Sequence, residues 1–290
     1  MSMTPTIPWR CRDRTLCAGA CPLVMGILNV TPDSFSDGGR FLSMEAAIRR
    51  GLDMADEGAA IVDIGGESTR PGSAPVPTEE ETLRVIPVIR ALAEAFGARA
   101  GAPVISVDTR KADVAEAAME AGARIINDVT ALAGDPAMMG VARRYGAGVV
   151  LMHMRGEPAT MQQNPQYDNV VTEVAGTLAG RIAALQKAGL ETDTLALDPG
   201  IGFGKTAEHN LTLLANLASL SSLGRPVLVG VSRKRFIGSI TGRDVDQRQA
   251  GSLACAVWAA ARGAHIWRVH DVKESVDAAR MVAALNREMA

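Results

Sequence analysis

The stretch VISVDTRKADVAEAAMEAGARIINDVTALAGDPAMMGVARRYGAGVVLMHM, residues 104–154, decides the fold. It holds short apolar runs of strand character at Val104–Asp108, Ile125–Val129 and Gly148–Met154. Between them lie longer segments, Ala112–Ala121 and Pro136–Tyr145, whose apolar residues recur at i, i+3 and i+4. Gly122 and Gly146 stand just past these helical segments, where a left-handed residue is wanted, and Asp135-Pro136 reads as a helix cap followed by the first helical residue. Strands joined by a helical crossover are parallel strands, because a hairpin turn cannot connect them.

The alternation continues in both directions. Upstream lie strands Val24–Val30 and Ala60–Gly65 with helices Met44–Glu57 and Glu79–Phe96. Downstream lie strands Leu195–Asp198, Val227–Val231 and Ile266–Val269 with helices Val170–Ala188, Ala207–Leu220, Gln247–Arg262 and Glu274–Glu288. Gly58, Gly97, Gly189, Gly224 and Gly263 repeat the stop signal, and Pro77-Thr78-Glu79-Glu80-Glu81 loads a first helical turn with acid. Eight units after the first 23 residues average about 33 residues each, the size of a unit in a barrel of about 250 residues. That favours an α/β fold with a single (β/α)8 TIM barrel over a doubly wound sheet. No Pro/Ser/Gly-rich linker divides the chain, so residues 24–290 read as one domain. Residues 1–23 form a short N-terminal arm that reads either as a strand pair capping the barrel or as a loose tail.

The composition excludes several function classes. The chain of 290 residues carries 30 Lys+Arg against 32 Asp+Glu, a net charge of -2, which gives no electrostatic footprint for nucleic acid or an anionic membrane. Aromatic residues at 3% leave few rings for stacking bases, while 47% hydrophobic residues suffice for a sizeable core. Cys11, Cys17, Cys21 and Cys255 are too few for a disulfide scaffold and lack zinc-site spacing, so a reducing cytoplasm is the expected home. Arg10, Arg12 and Arg14 ahead of Leu16–Leu28 imitate a signal peptide, but Asp13 and Pro22 interrupt it. No apolar run approaches the roughly 18 residues of a membrane span.

In such a barrel the residues after each strand gather around one mouth. Here they are polar. The first strand ends in Asn29 and runs into a Gly- and Asp-rich segment with Asp33 and Phe35, and the second leads into Glu67-Ser68-Thr69-Arg70-Pro71-Gly72. The third ends at Asp108, the fourth carries Asn127 and Asp128, and the fifth carries Met152-His153-Met154-Arg155. Asp198 precedes Pro199-Gly200-Ile201-Gly202-Phe203-Gly204-Lys205, the seventh strand ends in Ser232-Arg233-Lys234, and the eighth holds Arg268-Val269-His270-Asp271. Asp108, Asn127, Asp198 and Lys234 converge from different strands on a volume suited to a flat heterocycle rich in N–H donors. A carboxylate facing an amino-pyrimidinone edge makes two parallel charge-assisted bonds, each worth about 1.5–3 kcal/mol when desolvated. Arg268 and His270, at i and i+2, share a strand face and with Arg70 suit a phosphate or pyrophosphate, while Asn29 offers an oxygen to a hard cation.

A single strand-end Asp is ordinarily a turn former or helix cap. Turns do not require an amide, two acids, a Lys and an Arg/His pair on one rim. His153, between two methionines, reads as structural and facing the helix layer; His209 and His265 are assigned no role. Gly204-Lys205-Thr206 ahead of a helix imitates a nucleotide-binding loop, but that pattern needs glycine where Pro199 stands. The loop reads instead as bringing Phe203 over a substrate.

Several stretches in this order resemble the dihydropteroate synthase family: Met25 to Gly39 (MGILNVTPDSFSDGG), Asp63 to Gly72 (DIGGESTRPG), Leu197 to Lys205 (LDPGIGFGK), Ser232-Arg233-Lys234 and Arg268 to Val272 (RVHDV). The resemblance implies a barrel enzyme that joins 6-hydroxymethyl-7,8-dihydropterin diphosphate to 4-aminobenzoate in folate biosynthesis, giving 7,8-dihydropteroate and diphosphate. It also implies Mg2+ as cofactor and a target of sulfonamides, while the apolar, Ala-rich helix Ala250–Ala261 with Trp258 reads either as the buried face of a homodimer or as an ordinary barrel helix. Residue by residue, it implies that Asp198 and Asn127 hold the pterin's amino-pyrimidinone edge, Asp108 the far ring and Lys234 the carbonyl and N5 side, with Met152 packed on the ring. Asn29 would ligate Mg2+ on the diphosphate, whose other contacts would be Thr69, Arg70, Arg268 and His270. Phe203, Pro71, Gly230 and Ser232 would bound the aminobenzoate site, and the loops bearing Asp33 and Phe35 would close over it. Catalysis would fall to Arg70, Lys234, Arg268 and His270. A pterin-dependent methyltransferase barrel shares the Asp and Asn but has no diphosphate to clamp, and a non-catalytic pterin-binding paralogue would keep the same pocket.

Overall fold

The computed structural model describes residues 6–19, 21–30, 39–68, 74–97, 99–157 and 160–288. It opens with an antiparallel hairpin, β1 (Ile7–Cys11) and β2 (Arg14–Ala18). Arg12 turns the chain at a φ of 59° and is held there by its amide on the Gly146 carbonyl (2.7 Å) and its guanidinium on the Met119 carbonyl (2.9 Å). Then follow β3 (Leu23–Asn29), α1 (Gly39–Asp56), β4 (Ile61–Gly65), α2 (Thr78–Gly97), β5 (Val104–Asp108), α3 (Ala112–Ala121), β6 (Ile125–Asp128), α4 (Met138–Tyr145) and β7 (Gly148–Met152). The second half comprises α5 (Val170–Lys187), β8 (Leu195–Asp198), α6 (Ala207–Ala215), α7 (Ala218–Ser221), β9 (Leu228–Val229), α8 (Arg235–Thr241), α9 (Gln249–Ala260), β10 (Ile266–Val269) and α10 (Val272–Glu288).

Strands β3 to β10 pair in parallel as an eight-stranded sheet ordered β8-β7-β6-β5-β4-β3-β10-β9. A parallel bridge between Leu197 and Val227, with the Leu197 amide donating to the Pro226 carbonyl at 2.8 Å, brings its two ends together. The fold is therefore the (β/α)8 barrel expected from the unit lengths.

Side chains alternate across a strand, so each barrel strand shows one set inward and the other to the helices. The inward set at the strand starts, Met25, Ile61, Val104, Ile125, Val150, Ala196, Leu228 and Ile266, forms one apolar cluster with Trp9 and Cys11 of the hairpin. The hairpin thus plugs the bottom of the barrel. Trp9 is fully buried, and its indole N–H reaches the Thr194 carbonyl at 2.7 Å, so no polar atom of the ring is left unpaired. The outward set packs in a second, larger cluster under the helices, including Val62, Ile64, Ile105, Val107, Ile126, Val149 and Leu151. With both faces apolar at the bottom, polar side chains in the barrel are confined to the later strand positions.

Some boundaries differ from the sequence reading for identifiable reasons. Asp135-Pro136 does not start α4, which is preceded by Ala137. The Asp135 carboxylate accepts from the Ala137 amide (2.9 Å) and from the Ala112 amide (2.8 Å), so it serves the first turn of the neighbouring α3 as well. Helix Ala207–Leu220 is broken into α6 and α7 at Asn216, whose side chain donates back to the Thr212 carbonyl at 2.8 Å and competes with the backbone. Gly97 is the last residue of α2 and does not take the left-handed conformation, which Gly58, Gly122, Gly146, Gly189, Gly224 and Gly263 do. The strand read as Val227–Val231 is Leu228–Val229, and α8 after it had too few apolar residues to show a period. No described helix is long and apolar enough to cross a membrane.

Candidate active site

Two residues beyond the apolar floor, on the same inner face, the barrel turns polar. β4 offers Asp63 after Ile61, β5 offers Ser106 and then Asp108 after Val104, and β6 offers Asn127 after Ile125. On the other side β7 offers Met152 after Val150, β8 offers Asp198 after Ala196, β9 is followed by Gly230 and Ser232, and β10 offers Arg268 and is followed by His270. Their convergence follows from strand period alone.

Arg268 is the hub of the floor. Its Nε donates to Asp63 Oδ2 at 2.7 Å and its Nη2 to Asp108 Oδ2 at 2.6 Å, while Asn127 Nδ2 donates to the same Asp63 oxygen at 3.0 Å. Burial by itself would lower the Arg268 pKa, but Asp63, Asp108 and Asp198 outweigh it and hold the guanidinium charged. Burial, reinforced by Asp63, pushes the Asp108 carboxyl above the usual range against the pull of Arg268. Asp63 Oδ1 and Ser106 Oγ are buried without a hydrogen bond to any described residue, so the floor presents unused polar atoms.

Across the mouth, Asp198 Oδ1 accepts from the Gly200 amide at 2.7 Å. Burial raises its pKa despite that bond and the nearby Lys234, Arg268 and Lys205. A buried carboxyl of this kind gains most from a ligand that brings N–H donors to its edge. Lys234 Nζ lies 4.3 Å from the centre of the Phe203 ring, a cation–π contact, and Gly202 lets the Lys234 stem pass because a Cβ there would stand 3.2 Å from Lys234 Cδ. Met152 is buried and stands in register with Asp198 on the neighbouring strand.

At the rim, Ser232 Oγ accepts from the His270 amide at 3.2 Å and lies 3.0 Å from His270 Nδ1, which fixes the plane of the imidazole. Asn29 closes β3 half-buried. Among the described residues no group of three or more His, Cys, Asp or Glu is placed to hold a metal ion. Asp33, Phe35, Thr69, Arg70 and Pro71 lie outside the described residues. The chain on either side of residues 69–73 is braced: Glu67 accepts from the Val76 amide (3.4 Å) and from Arg110 (3.0 Å), and Lys111 bridges Glu67 to the buried Glu81.

The structure thus brings Asp108, Asn127, Met152, Asp198, Phe203, Gly230, Ser232, Lys234, Arg268, His270 and Asn29 to one end of the barrel. It also joins two groups that the sequence reading kept apart, because Arg268 is tied to Asp108 and, through Asp63, to Asn127. Asp63 was missed. Its signal was a carboxylate at an inward position in mid-strand, two residues after Ile61, where an apolar side chain is the rule.

A family model described as pterin binding enzyme matches residues 25–270. The dihydropteroate synthase of Escherichia coli K12 is 51% identical over 263 residues, covering 91% of each chain. The chain belongs to the dihydropteroate synthase family. The Haemophilus influenzae member is 46% identical over 256 residues, 88% of this chain and 91% of that one. Among solved structures, the Xanthomonas albilineans dihydropteroate synthase with 4-aminobenzoic acid is 48% identical and superposes with a TM-score of 0.89, covering 97% of this chain and 98% of that one. The same enzyme in complex with 7,8-dihydropteroate gives a TM-score of 0.85 at 47% identity, covering 96% and 98%. The two structural matches cover nearly the whole of each chain, so this barrel and theirs share one fold.

Proposed function

We propose that the enzyme, a transferase of folate biosynthesis, condenses 6-hydroxymethyl-7,8-dihydropterin diphosphate with 4-aminobenzoate at the barrel mouth, releasing diphosphate. The observation that carries this is the pairing, in one mouth, of a buried Asp198 and Asn127 with the cationic Arg268 and Lys234, in a chain half identical to a dihydropteroate synthase. Asp198 and Asn127 take the amino-pyrimidinone edge, Lys234 the carbonyl and N5 side, Asp108 the far ring, and Met152 one face. That orientation points the exocyclic methylene outward. As its C–O bond breaks, positive charge spreads into the electron-rich pterin and negative charge grows on the diphosphate, which Arg268, His270, Thr69 and Arg70 hold. The aryl amine then attacks the methylene in a pocket bounded by Phe203, Pro71, Gly230 and Ser232, under the loops of Asp33 and Phe35. An aniline nitrogen carries little basicity and needs no strong base, so orientation and charge stabilisation supply most of the acceleration.

The donor set at the rim fits Mg2+, a hard cation that keeps most of its waters and binds mainly through substrate phosphates: among the described residues the rim offers the neutral oxygen of Asn29 and no carboxylate cage. Bound on the diphosphate, Mg2+ would neutralise charge on the leaving group. Cys17 and Cys21 are exposed free thiols, which suits a cytoplasmic enzyme. Val257 and Trp258, 40% and 49% exposed on α9, with Arg262 stacked on the Trp258 ring at 4.5 Å, give a second copy an apolar face to cover in a homodimer. Calorimetric titration of pterin diphosphate into wild type, Asp198→Asn and Lys234→Ala tests the site. Affinity should fall by about tenfold or more in each folded variant, and unchanged affinity in both removes them from it.

A further inference from the structure

Lys205 is 2% exposed, although it follows a turn at the mouth and precedes the exposed Thr206. Its Nζ makes no ion pair among the described contacts. It lies 3.0 Å from His153 Nδ1, 3.2 Å from the His153 carbonyl and 3.0 Å from the Phe203 carbonyl. Asp198 lies close enough to favour the charged form but is not a hydrogen-bond partner, and a buried amine whose hydrogen bonds all go to neutral groups is costly to keep, a cost that a shorter polar or apolar side chain would avoid.

Those partners say what it holds together. His153 follows Met152 on β7 and points outward, and its amide donates to the Asp198 carbonyl at 2.9 Å, so it is joined to the strand that carries Asp198. Phe203 closes the turn after β8, with its amide on the Gly200 carbonyl at 3.0 Å and its ring under Lys234. Gly200 and Gly204, at φ of 67° and 61°, allow the turn to press against the backbone of His153 and Arg155. Lys205 is the side chain that reaches from beneath this turn to the carbonyl of the residue whose ring faces the substrates. Burial pushes its pKa down to about 7 and that of His153 down to about 4. The contacts suit both protonation states. Three N–H groups match three acceptors in the ammonium, and in the amine two N–H groups reach both carbonyls while the lone pair faces His153 Nδ1.

We propose that Lys205 is a positioning residue for the aminobenzoate pocket: held against His153, it fixes the carbonyl of Phe203 and so the placement of the Phe203 ring against Lys234. This rests on the reading above that Phe203 bounds that pocket. The resemblance of Gly204-Lys205-Thr206 to a phosphate-binding loop then has its explanation, since the lysine faces inward and grips the loop itself.

The test is the kinetics of Lys205→Met alone and combined with Phe203→Ala, together with calorimetric affinity for pterin diphosphate. In Lys205→Met, KM for 4-aminobenzoate should rise about tenfold while pterin diphosphate affinity stays within about twofold of wild type. In the Phe203→Ala background the same substitution should add little, because the wall it positions is gone. An unchanged KM in folded Lys205→Met, or full additivity with Phe203→Ala, overturns the proposal. If Lys205→Met does not accumulate folded, His153→Leu removes one acceptor and leaves the amine: a raised KM for aminobenzoate supports the proposal and an unchanged one overturns it. Failure of the wild-type enzyme to bind pterin diphosphate would instead refute the underlying reading of the site.

Discussion

Replacing Asp63 by Asn removes the charge that organises the barrel floor while keeping its shape. In the wild type one Asp63 oxygen accepts from both Arg268 and Asn127, at 2.7 and 3.0 Å. Deleting one partner of a buried ion pair costs about 3–5 kcal/mol when the remaining charge is stranded. Arg268 is not stranded, because Asp108 still accepts from it at 2.6 Å and its side chain is 22% exposed, and the new amide oxygen can still accept. The loss should therefore be about 2 kcal/mol, the worth of one charge-assisted hydrogen bond. For 290 residues at about 2.1 cal/mol/K each, the unfolding entropy is about 0.6 kcal/mol/K, so Tm should drop by about 3 °C. Binding should suffer more visibly. Asn127 keeps an acceptor but trades a charged one for a neutral one, which weakens the anchor that orients its amide toward the pterin, and a loss of about 1–2 kcal/mol there is about a 5- to 30-fold weaker Kd. Calorimetric unfolding and titration with pterin diphosphate measure both. A Tm within about 1 °C of wild type together with a Kd within about twofold would refute the assignment of Asp63 as the organiser of this network.

Trp9→Ala should cost about 3–5 kcal/mol, because the indole fills the barrel floor and makes a buried hydrogen bond; a denaturant midpoint near wild type would show that the hairpin is dispensable. His153, whose pKa falls from 6.5 to about 4 on folding, contributes stability that is fully present above pH 6.5 and is lost as the pH falls toward 4. The loss should be about 3 kcal/mol at most, and His153→Asn should flatten that slope of stability against pH; an unchanged slope would mean that other groups set it. Asn29→Ala should shift the activity curve against Mg2+ to higher concentration, and a curve identical to wild type would make Asn29 structural.

The barrel was legible because its signals are local: strand period, helix period and the length of each unit are written within about 33 residues. The mouth was legible for the same reason, since strand ends in a barrel share one face. Asp63 escaped a reading directed at strand ends because it sits in mid-strand, although its parity with Ile61 was visible. Lys205 was legible only as part of a loop motif; its partner His153 lies 52 residues away, and no sequence period couples the two. The hairpin's alternation of Trp9 and Cys11 with Arg10 and Arg12 marks an apolar face, but nothing in the arm itself says that this face meets the starts of all eight barrel strands. The break at Asn216 depends on a side-chain bond that competes with the helix, which apolar spacing does not register.

The central claim is that one mouth couples diphosphate departure to attack by an aryl amine. Diphosphate release from pterin diphosphate with Mg2+, measured with and without 4-aminobenzoate, tests it most directly. The account predicts steady release only when both substrates are present, with one 7,8-dihydropteroate formed per diphosphate. Release at the same rate without aminobenzoate, or none with both substrates present, would contradict it.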